Sequence, residues 1–240
     1  MQLDVLYADG NFVAINKPSG LLVHRTQLDT QATEFALQIL RDQIGHPVSP
    51  CHRLDRPTSG VLLFSLNAEA LRNAQSEFEA RRVDKTYHAI VRGWPDDAGL
   101  IDYDLKLEDK PSVIQSAQTE YRCLERFEYP QPIGQFSAAR FALLELKPLT
   151  GRKHQLRRHM AHLRHPILGD TRHGDGKQNQ YIRQYWDCQR LLLHASKLRI
   201  EPAFMTQAIQ IEAPAESSFS SVLERLRTPG IERPTPNFER

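Results

Sequence analysis

Cysteine is scarce in this chain. Cys51, Cys123 and Cys188 are an odd three with no CxxC spacing, which argues against a disulfide framework or a thiolate zinc site and suits a reducing cytoplasm. The twelve glycines form neither a GxGxxG turn nor a Walker A loop, and HExxH does not occur, so nucleotide-cofactor and zincin chemistry have no motif behind them. A reaction needing no cofactor is favoured. Long apolar runs are missing too: the longest uncharged stretch, around Gly60–Ala68, is far short of the roughly 18 apolar residues a membrane span needs. Met1-Gln2-Leu3-Asp4 lacks the basic start of a signal peptide, so neither insertion nor export is expected, and a cytoplasmic location is. A large net charge is also absent, since the formal value is only +2.

What is present reads as one soluble globular domain: 240 residues, 40% hydrophobic and 25% charged. Asp4–Ala8 and Phe12–Asn16 are apolar-rich runs around Asp9-Gly10-Asn11, the chemistry of a tight hairpin. A helix is expected from Phe35 to Ile44, stopped by Gly45, and a strand over Val61–Leu66. Asn67 is placed to cap a helix from Ala68 to Arg82, after which Val83–Gly93 resumes strand character. Residues 96–110 carry six acids and two lysines, a polar excursion expected to be a surface loop. Thr119–Phe127 and Phe136–Leu146 look like an antiparallel pair, followed by a helix over Lys153–Leu163. Further strands are expected at Leu191–Ile200 and Ala208–Ile211, then an amphipathic helix carrying Phe219, Val222, Leu223 and Leu226. Thr228–Arg240, with three prolines, is expected to be a flexible tail. Strands outnumber helices and several are hairpin-linked, which predicts an α+β fold around a mixed, largely antiparallel sheet with flanking helices.

Two clusters could carry chemistry. His52-Arg53-Leu54-Asp55-Arg56 lies just before a breaker and a buried strand, where catalytic loops gather; by itself it reads first as a surface ion-pair patch. The second lies between Gly151 and Gly169, where Arg152, Lys153, Arg157, Arg158 and Arg164 occur with four of the ten histidines and no acid. As a helix it would put Arg157 and Arg164 on one face, and the bland account is a solvated basic surface. A metal reading of His154, His159, His162 and His165 is disfavoured, because their spacing drifts around a helix and the neighbouring cations oppose a divalent ion. Phosphate binding fits better, since arginine and lysine neutralise phosphates and a helix N-terminus near Gly151 offers free N–H donors. Tyr87, alone, is ordinary strand packing.

In order, Asn16-Lys17-Pro18-Ser19-Gly20, His52-Arg53-Leu54-Asp55 with Thr58-Ser59-Gly60, Lys85-Thr86-Tyr87, Gly151-Arg152 with His154-Gln155-Leu156-Arg157 and His159, and Arg190–Ala195 resemble the RluA-type RNA pseudouridine synthases. The likeness covers residues 5–213. It implies a catalytic domain over 1–227 with a central RNA-binding cleft, no N-terminal S4-like domain, no cofactor, no metal and no obligate protein partner. It also implies roles: Asp55 as the catalytic aspartate, Tyr87 as the aromatic against the target uracil, and Arg157 as the partner of the aspartate. Arg53 would enter the RNA stack in place of the flipped nucleotide. Arg152, Lys153, Arg158 and Arg164 would contact RNA, and one of Leu191, Leu192 and Leu193 would line the uracil pocket. The strings His52–Leu63, Tyr87–Trp94 and Arg152–Asp175 are similar to the subgroup that acts on transfer RNA at uridine 65, whereas residues 96–116 match poorly. The competing expectations are the same chemistry on another tRNA or rRNA uridine, a non-catalytic RNA-binding module, and a metal-dependent phosphoesterase using the histidines.

Overall fold

The computed structural model describes residues 1–24, 34–130 and 137–228. The tail expected at 228–240 lies outside them from residue 229 on, as does Phe136. The hairpin forms as its turn chemistry requires: β1 (Asp4–Ala8) pairs antiparallel with β2 (Phe12–Lys17), and the Asp9 side chain accepts from the backbone N–H groups of Asn11 and Phe12 at 2.7 and 2.6 Å. Helix α1 (Ala36–Ile44) ends on Gly45 in the left-handed region. The short β3 (Ser49–Pro50) leads through the 51–58 loop to β4 (Ser59–Ser65), whose every residue is buried. The Asn67 side chain caps α2 (Ala68–Glu79) by accepting from Ala70 N–H at 2.8 Å. That helix stops three residues before Arg82, because Arg81 turns into the left-handed region.

β5 (Asp84–Arg92) follows the expected alternation, with Ala89 and Val91 in one core cluster and Ile90 in another on the opposite face. The acidic stretch 96–110 is not a plain loop. It forms the edge strand β6 (Ala98–Asp102) and β7 (Leu105–Lys106), the latter paired with β8 (Ile114–Gln115). Its buried residues are few but well placed: Ile101 and Leu105 point inward while the five aspartates are exposed, a solvated edge that protects the sheet from pairing with strangers. β9 (Gln118–Tyr129) and β10 (Ala139–Pro148) form the expected long antiparallel pair.

α3 (Gln155–His162) begins two residues later than expected, with His154 left-handed at its N-cap, and ends before Arg164, which is itself left-handed. The shared face expected for Arg157 and Arg164 therefore does not exist. Helix α4 (Gly176–Trp186) was not foreseen: Asp175 caps it, but Gln178 and Asn179 share its buried face with Ile182 and Trp186, which hides the apolar periodicity. β11 (Leu193–Ile200), β12 (Ile209–Glu212) and α5 (Ser217–Arg227) are the last elements among the described residues.

The main sheet runs β1-β2-β4-β11-β5-β10-β9-β6, with β12 on β11 and β3 on β4; β4–β11 is its parallel pairing and the other pairings are antiparallel. This is the α+β fold expected. The parallel contact is tight enough that a Cβ on Gly60, at φ 111°, would strike the Ala195 carbonyl. That close approach sets the 51–58 loop, which leads into Gly60, next to β11.

Candidate active site

Asp55 sits on the 51–58 loop, and the Asn16–Gly20 motif explains why that loop holds its shape. The fully buried Lys17 ammonium donates to the carbonyls of Pro18 and Leu21, both at 2.8 Å, and of Arg56 at 3.2 Å. Burial, with Arg190 adding to it, pushes the Lys17 pKa down to about 7. Ser19 Oγ donates to Pro57 O at 2.8 Å, Gly20 N–H donates to Arg56 O at 2.9 Å, and Arg56 Nε returns a bond to Gly20 O at 2.9 Å. On its other side, His52 Nε2 accepts the Leu63 N–H at 3.1 Å while its ring stacks on Phe78. Burial, followed by the Lys85 charge, pushes His52 down to about 4, so the ring is neutral as that acceptor role demands.

The facing wall is the turn into α3. Gln155 is buried with both amide ends used: Oε1 accepts from Thr150 Oγ1 at 2.7 Å and Arg152 N–H at 3.0 Å, and Nε2 donates to Gln118 O at 2.9 Å and Thr119 Oγ1 at 3.0 Å. Thr119 in turn donates to His159 Nδ1 at 2.9 Å, and His159 Nε2–H donates to Tyr103 O at 3.0 Å. The motif residues Gln155 and His159 are thus anchors to β9 and to the segment after β6.

Arg157 joins the two walls. Its Nε and Nη2 grip the Asp170 carboxylate at 2.7 and 2.8 Å, and its Nη1 donates to Asp55 Oδ2 at 3.3 Å. Side-chain exposure grades along this chain of charges, from 1% at Asp170 through 6% at Arg157 to 20% at Asp55, so the open end is the aspartate. Burial would raise Asp170, but the Arg157 fork and the backbone N–H of His173 hold it below the usual carboxylate range. Asp170 is a site residue that the sequence reading missed. Its signal was available, as the first acid after the acid-free segment Gly151–Gly169.

Asp55, Tyr87 and Arg157 line one cleft of about 700 Å³, within the range of roughly 300–1,000 Å³ typical of ligand sites. Tyr87 packs between two core clusters on the cleft face of the sheet, and burial, with the Asp55 charge adding to it, raises its phenol. Arg53, Arg152 and Lys153 line the cleft, joined by Lys85 of the Lys85-Thr86-Tyr87 motif and by Arg81, which the sequence did not single out. Arg158 and Arg164 are not among the lining residues: Arg158 follows Arg157 around the helix, and Arg164 lies past the helix end, exposed, with its carbonyl bound by Arg92. The three leucines lie in different settings. Leu193 lines the cleft, Leu191 borders a shallower hollow near Arg190, and Leu192 packs in the core on the other side of the sheet with Phe141 and Trp186.

The four helix-region histidines also disperse: His159 is bonded as above, His162 stacks on Tyr103 with centroids 3.6 Å apart, and His165 faces Arg92 O at 2.8 Å. His154 remains beside the cleft, with Nε2 3.8 Å from Asp55 Oδ2. Among the described residues, the group that could hold a metal ion is His154 with Glu108 and His173.

A carboxylate held by the Arg157 guanidinium, an aromatic in the same cleft and five further arginines and lysines around them make a basic cleft of nucleotide size. Residues 11–162 match the model of the RNA pseudouridylate synthase family, and the chain belongs to that family. It is a pseudouridine synthase, an isomerase. It is 48% identical over 234 residues, 94% of this chain and 95% of the relative, to "tRNA pseudouridine synthase C" of Vibrio parahaemolyticus serotype O3:K6. The protein of the same name from Haemophilus ducreyi is 50% identical, covering 89% of this chain and 91% of its own. Among solved structures, Human RNA Pseudouridylate Synthase Domain Containing 4 is 27% identical with a TM-score of 0.73, covering 93% of each chain, and Domain Containing 1 is 26% identical at 0.72, covering 95% and 96%.

Proposed function

We propose that this synthase acts on transfer RNA, at uridine 65, with Asp55 as the group that acts on the ribose, in one catalytic domain over residues 1–227. In the reaction the N1–C1′ bond breaks, the uracil turns, and C5 bonds to C1′; C5 loses a proton and N1 gains one, so the atoms balance without a redox partner. Asp55 acts on the sugar, at C1′ or at the proton beside it. Flipping the base out of its stack costs a few kcal/mol, which stacking on Tyr87 and phosphate contacts from Arg53, Arg152 and Lys153 offset. Leu193 supplies the apolar wall of the uracil pocket.

The observation that carries this proposal is the 3.3 Å contact between Arg157 and Asp55 inside a basic cleft shared with Tyr87. The named relatives acting on tRNA support the choice of substrate. The test is to incubate the protein with unmodified tRNA and rRNA transcripts and map pseudouridine, alongside Asp55→Asn. The expected result is modification of tRNA at one uridine, abolished in the variant while RNA binding survives. Substantial turnover by Asp55→Asn refutes the catalytic role, and modification confined to rRNA refutes the substrate.

A further inference from the structure

Glu108, His154 and His173 reach one point from three parts of the chain: the turn after β7, the N-cap of α3, and the loop following Asp170. The His154 Nδ1 lies 3.1 Å from His173 Nε2 and 3.3 Å from Glu108 Oε1, and all three donor atoms fall within 4.8 Å of one another. We propose that these residues bind a divalent transition metal of the zinc type, and that filling this site slows the enzyme. The second half rests on the assignment of Asp55 to the chemistry; the first half does not.

Zinc binds imidazole nitrogen at roughly 2.0–2.1 Å, which in a tetrahedron separates neighbouring donors by about 3.3 Å. Two of the three edges already have that length. Hydrogen bonds alone serve the group badly. If His154 Nδ1 accepts from His173, its lone pair also faces the Glu108 oxygen; if it carries a proton to Glu108, His173 Nε2 must compete for that same hydrogen. One cation between the three satisfies every lone pair, and two imidazoles with a carboxylate are a donor set that suits zinc, copper or nickel.

The surrounding positive charge is less adverse than the sequence suggests. Arg157 is balanced by Asp170 and Asp55, while Lys153 and Arg172, which also pair with Glu108, have side chains 44% and 56% exposed. Exposed pairs of this kind are weak, and both side chains are free to turn toward water. A metal on Nδ1 would fix the proton of His154 on Nε2, the nitrogen facing Asp55 Oδ2. A donor held there competes for the carboxylate that must act on the ribose, and Glu108 would be drawn from Lys153 at the cleft rim.

The experiment uses the full chain, stripped with a chelator. Cobalt(II) is titrated in without RNA and followed by its visible ligand-field bands; zinc is titrated by calorimetry. Wild type should bind one equivalent, and His173→Ala and Glu108→Gln should each bind about tenfold more weakly or worse. Turnover on tRNA, given for each protein as the ratio with and without zinc, should fall for wild type, recover on adding chelator, and stay near one for both variants. Absence of binding, equal binding by the variants, or wild-type turnover untouched at saturating zinc overturns the proposal. Because the binding measurements contain no RNA, failure of the proposed tRNA activity would leave them readable.

Discussion

The two walls of the cleft are rigid for different reasons. The Asp55 wall is held by main chain: one buried ammonium gathers the carbonyls of Pro18, Leu21 and Arg56, and the Ser19–Gly20 and Arg56–Pro57 segments exchange bonds around it. The α3 wall is held by side chains bonded to other side chains, Gln155 with Thr150 and Thr119, His159 with Thr119, and Arg157 with Asp170. A loop has no ladder of its own to satisfy its carbonyls, so a single multivalent donor at its centre does so. A helix satisfies its own interior and can commit its side chains to aiming a charge.

If that distinction is right, the largest loss should come from Asp170→Asn. Breaking a buried ion pair by removing one partner costs about 3–5 kcal/mol, and the Arg157 fork would lose its hold. Denaturant unfolding should show the drop, with turnover falling further than RNA affinity; an unchanged stability would mean that Arg157 is aimed by something else. Lys17→Met should follow at about 3 kcal/mol, since stranded carbonyls cost roughly 1–3 kcal/mol each and water recovers some of them. Its mark should be lost turnover with the α3 wall intact, visible as unchanged exchange protection at Gln155 and His159.

Next comes acid. The folded His52 pKa of about 4 lies below an unfolded value of about 6.5, so the unfolded chain binds the extra proton between them. The stability this group contributes is complete above about 6.5 and is lost as pH falls toward 4, by roughly 3 kcal/mol in all. His52→Gln keeps an acceptor for Leu63 N–H without titrating, so the stability gap between wild type and variant should close over that window; a constant gap would show that His52 is not the titrating group. The smallest effect concerns the rim. Neutralising Arg152 or Lys153 should lower the salt dependence of RNA binding by about one unit of slope each, and Arg158 or Arg164 by less. Equal changes at all four would extend the RNA footprint beyond the cleft.

Local chemistry was legible where one short segment decides its own shape. Asp9 at the hairpin, Asn67 before α2 and Gly45 after α1 do what their residue types do anywhere, and the structure has each in that place. Asp55, Tyr87 and Arg157 were brought together by the family resemblance of the ordered motifs and not by local spacing, and the structure has all three lining one cleft. Legibility failed where burial depends on a distant neighbour. Helix α4 hides amides on its inner face because Gly169 N–H and Asp170 O are there to meet Asn179, and β6 could be sorted from a loop only by knowing that β9 lies beside it.

The amino-acid order alone settled the repertoire: an α+β chain, one acid-free basic segment, and an ordered set of motif residues. Which of those charges act together was a matter of the fold. Arg157 and Arg158 are neighbours of the same type, yet a 100° step around a helix buries one against Asp170 and Asp55 and leaves the other off the cleft. Burial strengthens an ion pair by excluding water, and only the packed sheet and helices determine where water is excluded.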